Sequence, residues 1–184
     1  MGTSKGFTLL ELMVATAILG IMASVALPNL SSLIDRYSTS ANVRAFMQTL
    51  KFARYHALKS GTDITLCPVN GSICTDNWNK PIRVFQDRNR NQRVNAGEEI
   101  LMSSHIPIDQ NSVITRSGTG NHLRFNWKGH AFGSATTFVI CARENHQASR
   151  QVILNFQGRV RSRGYLSRNG TPYASLGSLA CPQV

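Results

Sequence analysis

The chain reads as an α+β protein, with one long N-terminal helix packed on an antiparallel β domain of two small sheets. Two patterns predict this. From Phe7 to Lys59 apolar residues recur with helical spacing, and from Thr62 onward the pattern changes to short β-type runs separated by turn residues. Size agrees: 184 residues that are 42% hydrophobic suffice for one domain of roughly 120 residues behind the helix, and no second composition block suggests another.

The first element is the most informative. Phe7 to Leu27 is an apolar run of 21 residues, which as a helix rising ~1.5 Å per residue spans ~30 Å, the thickness of a bilayer core. We therefore read residues 7–27 as transmembrane. A single carboxylate, Glu11, interrupts the run. A secretory signal has its small-residue cleavage site after the apolar region, whereas here Gly6 precedes it. The leader, residues 1–6, is short and polar and carries Lys5, which favours cytoplasmic retention of that end and export of the chain that follows. Cutting after Gly6 frees an α-amine on Phe7, four residues before Glu11. Glu11 then has a candidate partner; the alternative is a side chain that snorkels to the headgroups.

The sequence Gly6-Phe7-Thr8-Leu9-Leu10-Glu11, with Pro28 further on, resembles the class III signal of type IV pilins and pseudopilins. The resemblance implies cleavage after Gly6 by prepilin peptidase and N-methylation of Phe7. It also implies assembly with other minor and major pilins into a thin filament extruded from the inner membrane, with Glu11 pairing to the Phe7 ammonium of a neighbour in the filament core. Pro28 stands where that family often has a helix-kinking proline.

The helical pattern continues through Leu30, Leu33, Ile34, Tyr37 and Ala41, then Val43, Phe46, Leu50, Ala53 and Ala57. Arg44, Lys51, Arg54 and Lys59 fall mostly off this stripe, Lys59 suits the negative end of the helix dipole, and Gly61 is a suitable C′ residue. We expect one helix over residues 7–60. Its first half would lie in the membrane or filament core, and its second half would pack on a globular domain, residues 61–184.

That domain shows seven candidate strands: Thr62 to Val69, Pro81 to Gln86, Glu99 to Ser104, Ser112 to Arg116, Leu123 to Trp127, Thr136 to Ala142 and Gln151 to Arg161. No internal repeat is evident, and residues 162–184 read as a flexible tail. Cys67, Cys74, Cys141 and Cys181 form an even set in an exported chain, where disulfides persist. The short Pro/Gly loop between Cys67 and Cys74 suggests that pair, leaving Cys141 with Cys181; the other two connectivities stay open. A zinc site is the competing reading, disfavoured by the lack of C-x-x-C or Cys/His spacing.

Charge is uneven. The formal net charge is +11, yet residues 61–110 hold five basic and six acidic side chains while residues 111–184 hold nine basic and one acidic, Glu144. A positive C-terminal part points to a polyanionic partner. The stretch Phe85-Gln86-Asp87-Arg88-Asn89-Arg90-Asn91, followed by Gly97-Glu98 and Leu101, resembles the GspH/FimT family of minor pilins and pseudopilins, which implies a type IV pilin-like fold. Gly158-Arg159-Val160-Arg161, extended by Arg163, resembles the GRxR motif of FimT-like pilins that bind DNA in natural transformation. If this segment continues the preceding strand, Arg159, Arg161 and Arg163 point to one face at ~6.6 Å intervals, close to the ~6.8 Å rise of two nucleotides. Gly158 then permits close backbone approach, and Arg150 and Arg168 add charge nearby. The bland alternative is a row of arginines that keeps a strand edge soluble.

Other chemistry is weaker. Asp87, Asn89, Asn91, Asn95 and Glu98 fall at positions 1, 3, 5, 9 and 12 of a calcium-loop pattern, but Gln92 replaces the turn glycine and Arg88, Arg90 and Arg93 oppose a dication. We expect a polar β-connection and no metal. His56, His105, His122, His130 and His146 form no ligand pair, and Trp78, Trp127 and Phe125 are assigned to the core. No nucleophile elbow, P-loop, dinucleotide fingerprint or H-E-x-x-H occurs, so neither an enzyme nor a cofactor is expected. The expectation is a minor type IV pilin. It would be anchored in the inner membrane with its globular domain periplasmic, then assembled near the tip of an extracellular pilus. There it would bind double-stranded DNA for competence. The rival is a structural subunit, FimU-like or a GspH-like type II secretion pseudopilin, that primes filament assembly.

Overall fold

The computed structural model describes residues 8–107, 112–118, 120–131, 133, 135–142, 146–164, 166 and 181, without the side chains of residues 25–29 and 146. Helix α1, Leu9–Ser60, comes first. Nine strands follow: β1 (Ile64–Asn70), β2 (Ile73–Cys74), β3 (Ile82–Phe85), β4 (Ile100–Ser104), β5 (Ser112–Arg116), β6 (Leu123–Phe125), β7 (Thr136–Ala142), β8 (Arg150–Leu154) and β9 (Val160–Gly164). The chain divides into two compact units, Met1–Ile34 and Asp35–Val184.

In the first unit, helix α1 starts where Thr8 Oγ1 accepts the amide of Glu11 at 3.2 Å, the geometry of an N-cap. Its apolar side chains face outward, Leu9 at 76% and Ile21 at 68% exposure. Among the described residues no helix is long and apolar enough to cross a membrane; the sequence run expected to do so also uses residues 25–29, whose side chains fall outside that set. Gly6 and Phe7 are outside it as well.

In the second unit the expected stripe does its packing from Val43 onward. Val43, Phe46, Leu50, Ala53 and Ala57 are all buried, three or four residues apart, so a single helix face meets the β domain. Gly61 ends the helix at φ +66°, its amide donating to the Ala57 carbonyl at 3.0 Å. A positive φ is what a left-handed C′ residue requires.

The strands form two antiparallel sheets, as the alternation of short runs and turns suggested. One runs β2-β1-β3-β4, with β6 also on β1; the other runs β5-β7-β8-β9. A T-shaped aromatic trio joins helix and sheet: Phe46 of α1 lies 4.8 Å from Phe138 of β7, and Trp78 lies 4.7 Å from Phe138 and 6.2 Å from Phe46. Burial of three aromatic rings at one point contributes several kcal/mol at about 25 cal/mol per Å².

Three expectations are corrected. The tail expected to begin at Ser162 does not begin there, because strand β9 continues to Gly164, paired with β8. The run Gln151 to Arg161 is not one strand: β8 ends at Leu154, the chain turns through residues 155–159, and β9 returns antiparallel with Leu154 opposite Val160 and Gln151 opposite Arg163. Gly158, at φ +74°, makes the reversal possible. Trp127 is not a core residue. It is 56% exposed, because it sits at the tip of a turn after β6, whereas Trp78 and Phe125 are buried as expected.

Candidate nucleic-acid interface

Register decides which arginines share a face. In the second sheet Phe138, Ile140, Val152 and Leu154 belong to the core beneath α1, with Val160 packed against it. The alternate residues therefore face away from the core: Val139, Cys141, Gln151, Ile153, and, directly opposite the last two, Arg163 and Arg161. Strand β9 is terminal in the order β5-β7-β8-β9, so these two arginines line the outer rim of that face.

They are held differently. Arg161 is exposed. Arg163 is half-buried, and its Nε donates to Gln151 Oε1 across the ladder at 3.0 Å. Arg159 lies in the turn, outside β9, exposed, with its amide donating to Asn155 Oδ1 at 2.8 Å. Among the described residues, neither the Arg159 nor the Arg161 side chain has a hydrogen-bond or ion-pair partner.

The expected set of five arginines is thus broken up. Arg150 is opposite Ile140 and Gly164, which places it on the face of β8 opposite to Arg161 and Arg163. Arg168 lies outside the described residues. Gly158 serves the architecture of the turn. Its α-carbon packs on the Gly129 carbonyl oxygen, the same oxygen that accepts Arg54 Nε from helix α1 at 3.0 Å. The motif glycine and a helix arginine converge on one carbonyl and fix the turn that presents Arg159. Sequence reading missed Arg54, Gly129 and Gln151, because their roles depend on partners 12 to 75 positions away.

Not all C-terminal cations face outward. Arg116 lies half-buried, with its guanidinium 5.6 Å from the Trp78 ring centroid and 5.9 Å from that of Phe138, and donates to the carbonyl oxygens of Gly120 and His122. Burial lowers its pKa. His122 is lowered too, first by burial and then by Arg124 and Arg116, with Asp87 opposing. Part of the basic excess therefore serves the interior.

The Asp87 to Glu98 loop caps itself. Asp87, 3% exposed, accepts the amides of Asn91 at 3.0 Å and Gln92 at 3.1 Å. Glu98 accepts the amides of Arg88 at 3.2 Å and Asn95 at 3.0 Å. Gln92 takes the left-handed turn at φ +59°, and Arg90 pairs with Asp63 at 2.9 Å. Among the described residues no cluster of metal ligands occurs.

Two disulfides close the domain, Cys67–Cys74 and Cys141–Cys181. The second brings Cys181 over the outer face, against Val139 and Leu166, beside the rim that carries Arg161 and Arg163.

A long helix packed on two antiparallel sheets, behind an N-terminal methylation signal, defines a type IV pilin-like subunit. The profile of the family described as type II transport protein GspH matches residues 42–158, and the prokaryotic N-terminal methylation motif matches residues 1–27. The chain belongs to this GspH family of minor type IV pilins and pseudopilins. It is 27% identical over 167 residues to the pilin-like protein PilA1 of Thermus thermophilus, covering 86% of this chain and 98% of that one. In fold it is similar to the type IV minor pilin FimU of Pseudomonas aeruginosa, with TM-score 0.56 at 16% identity over 71% of this chain and 92% of that one. It is also similar to the minor pseudopilin EpsH of the Vibrio cholerae type 2 secretion system, with TM-score 0.50 at 13% identity over 69% and 97%.

Proposed function

We propose that this chain is a minor pilin that captures extracellular double-stranded DNA, for uptake in natural transformation, through phosphate contacts made by Arg159, Arg161 and Arg163. The observation that carries the reading is the solvent-facing rim of β9. There Arg161 and Arg163 share a face, Arg159 leads into them from a rigid turn, and the charge excess of residues 111–184 supplies a positive field. Guanidinium groups at alternate strand positions are ~6.6 Å apart and match two-nucleotide steps of ~6.8 Å, each with bidentate capacity toward phosphate. Phosphate contacts carry no base information, so binding is independent of sequence. The N-terminal signal supports prepilin cleavage after Gly6, methylation of Phe7, anchoring in the inner membrane and later incorporation into a pilus. Glu11 then pairs with a neighbouring Phe7 amine in the filament core.

The test is a titration of full-length protein in detergent micelles with duplex fragments of unrelated sequence at several salt concentrations. The wild type should bind all fragments alike, with log affinity falling linearly in log salt, and the triple variant R159Q/R161Q/R163Q should lose about three units of slope. Cells carrying the variant should assemble pili yet transform poorly. Wild-type protein that binds no duplex at low salt, with pili lost in the variant, would return the structural role in filament priming to first place.

A further inference from the structure

The turns after β6 and β8 are built on one plan, Asn-aromatic-x-Gly-basic: Asn126-Trp127-Lys128-Gly129-His130 and Asn155-Phe156-Gln157-Gly158-Arg159. In each, the asparagine amide donates to the carbonyl of the basic residue, at 2.9 Å and 3.1 Å, and the glycine amide donates to the asparagine carbonyl, at 2.7 Å and 2.9 Å. The asparagine Oδ1 accepts the amide of the basic residue at 2.9 Å and 2.8 Å. Both glycines are left-handed, at φ +71° and +74°. This repeat becomes visible only once the hairpins are known.

The plan puts the aromatic residue at the tip of the turn, where a polar residue would satisfy the backbone equally well. Trp127 is 56% and Phe156 49% exposed. The turns are also joined, since the Ala131 amide donates to the Phe156 carbonyl at 2.9 Å and the rings of His130 and Phe156 lie 6.0 Å apart. A cation adjoins one ring, with Lys128 Nζ 4.6 Å from the Trp127 centroid, and Arg159 ends the second turn. Two outward aromatic side chains on rigid, coupled turns with interleaved positive charge are the composition of a base-stacking surface.

We propose that the paired turns bind unpaired bases of single-stranded DNA, with Trp127 and Phe156 stacking on bases while Lys128 and Arg159 neutralise the phosphates between them. This rests on the nucleic-acid reading above and shares Arg159 with it, but it adds a different chemistry. A base inside a duplex has both faces covered by its neighbours, so the aromatic pair adds affinity for single strands and frayed ends, and nothing for the duplex interior.

The probes are a twelve-nucleotide oligothymidylate, an abasic deoxyribose-phosphate chain of equal length, and a duplex hairpin whose loop is a base-free glycol linker, each titrated against full-length protein in micelles. The chain has two tryptophans, and Trp78 is 2% exposed, so quenching of indole emission reports Trp127. Oligothymidylate should quench it and bind more tightly than the abasic chain. W127A and F156A should each weaken oligothymidylate about 5- to 150-fold while duplex and abasic affinities stay put, and W127F should retain most of the binding. Equal affinity for oligothymidylate and the abasic chain, or W127A and F156A binding like wild type, overturns the proposal, as does a defect of these variants in pilus assembly without any change in DNA affinity. If the hairpin fails to bind while oligothymidylate still quenches, the arginine reading falls and this one stands.

Discussion

The α-carbon of Gly158 rests against the carbonyl oxygen of Gly129, so closely that a β-carbon would overlap the oxygen. Backbone meets backbone there, and neither side can rotate away. At φ +74° the position is also left-handed.

Gly158→Ala should therefore lower unfolding stability by at least about 2 kcal/mol, combining left-handed strain with overpacking. Gly133, at φ +68° with nothing within 4 Å of its added β-carbon, isolates the strain alone. Gly133→Ala should lose about 1 kcal/mol. Urea unfolding of both variants measures the difference, and equal losses would show that the Gly129 contact has no energetic weight.

Removing the Cys141–Cys181 bond should matter more than removing Cys67–Cys74. The bonds close segments with sequence separations of 40 and 7, and chain entropy assigns them about 4 and about 2.5 kcal/mol. Thermal unfolding of C141A/C181A and of C67A/C74A should rank in that order.

His122 gives the domain a pH dependence of known sign. Burial, then Arg124 and Arg116, depress its pKa below the ordinary 6.5, so near neutral pH the unfolded chain binds more protons than the folded one and stability rises with pH. The contribution is present above the unfolded pKa and is lost as pH falls from about 6.5 through the folded value. His122→Gln should flatten the stability profile over that window, as read by denaturant midpoints at closely spaced pH values.

Opposite faces of β8 and β9 predict unequal arginines. Arg161→Gln should shallow the salt dependence of duplex binding by about one unit, whereas Arg150→Gln, on the other face, should leave the slope unchanged. An equal loss from both would mean that DNA follows the sheet edge and not its outer face.

The helix, its buried stripe and the two-sheet architecture were legible because their signals are local: a step of three or four residues from Val43 to Ala57, and short β runs between turn residues. The exposed tip position of Trp127 was not, since an aromatic beside a strand reads as core until the turn is seen. The hairpin at Gly158 was hidden for a related reason. Alternation from Gln151 to Arg161 fits one strand as well as two, and the deciding fact is a contact with Gly129, 29 residues away. Arg161 and Arg163 were found by motif; that Arg150 faces the other way follows only from register.

The Cys141–Cys181 bond makes a closed covalent ring that contains both β8 and β9. A load hung on Arg161 and resisted at the N-terminal end of the chain therefore reaches Cys141 along two arms, one back through residues 142–160 and one forward through residues 162–181. Each arm carries part of the tension, and strand β9 cannot be drawn out further than the ring allows. On the proposed reading, a fibre subunit gripping DNA at this rim would be reinforced like a loop of rope instead of a single trailing end.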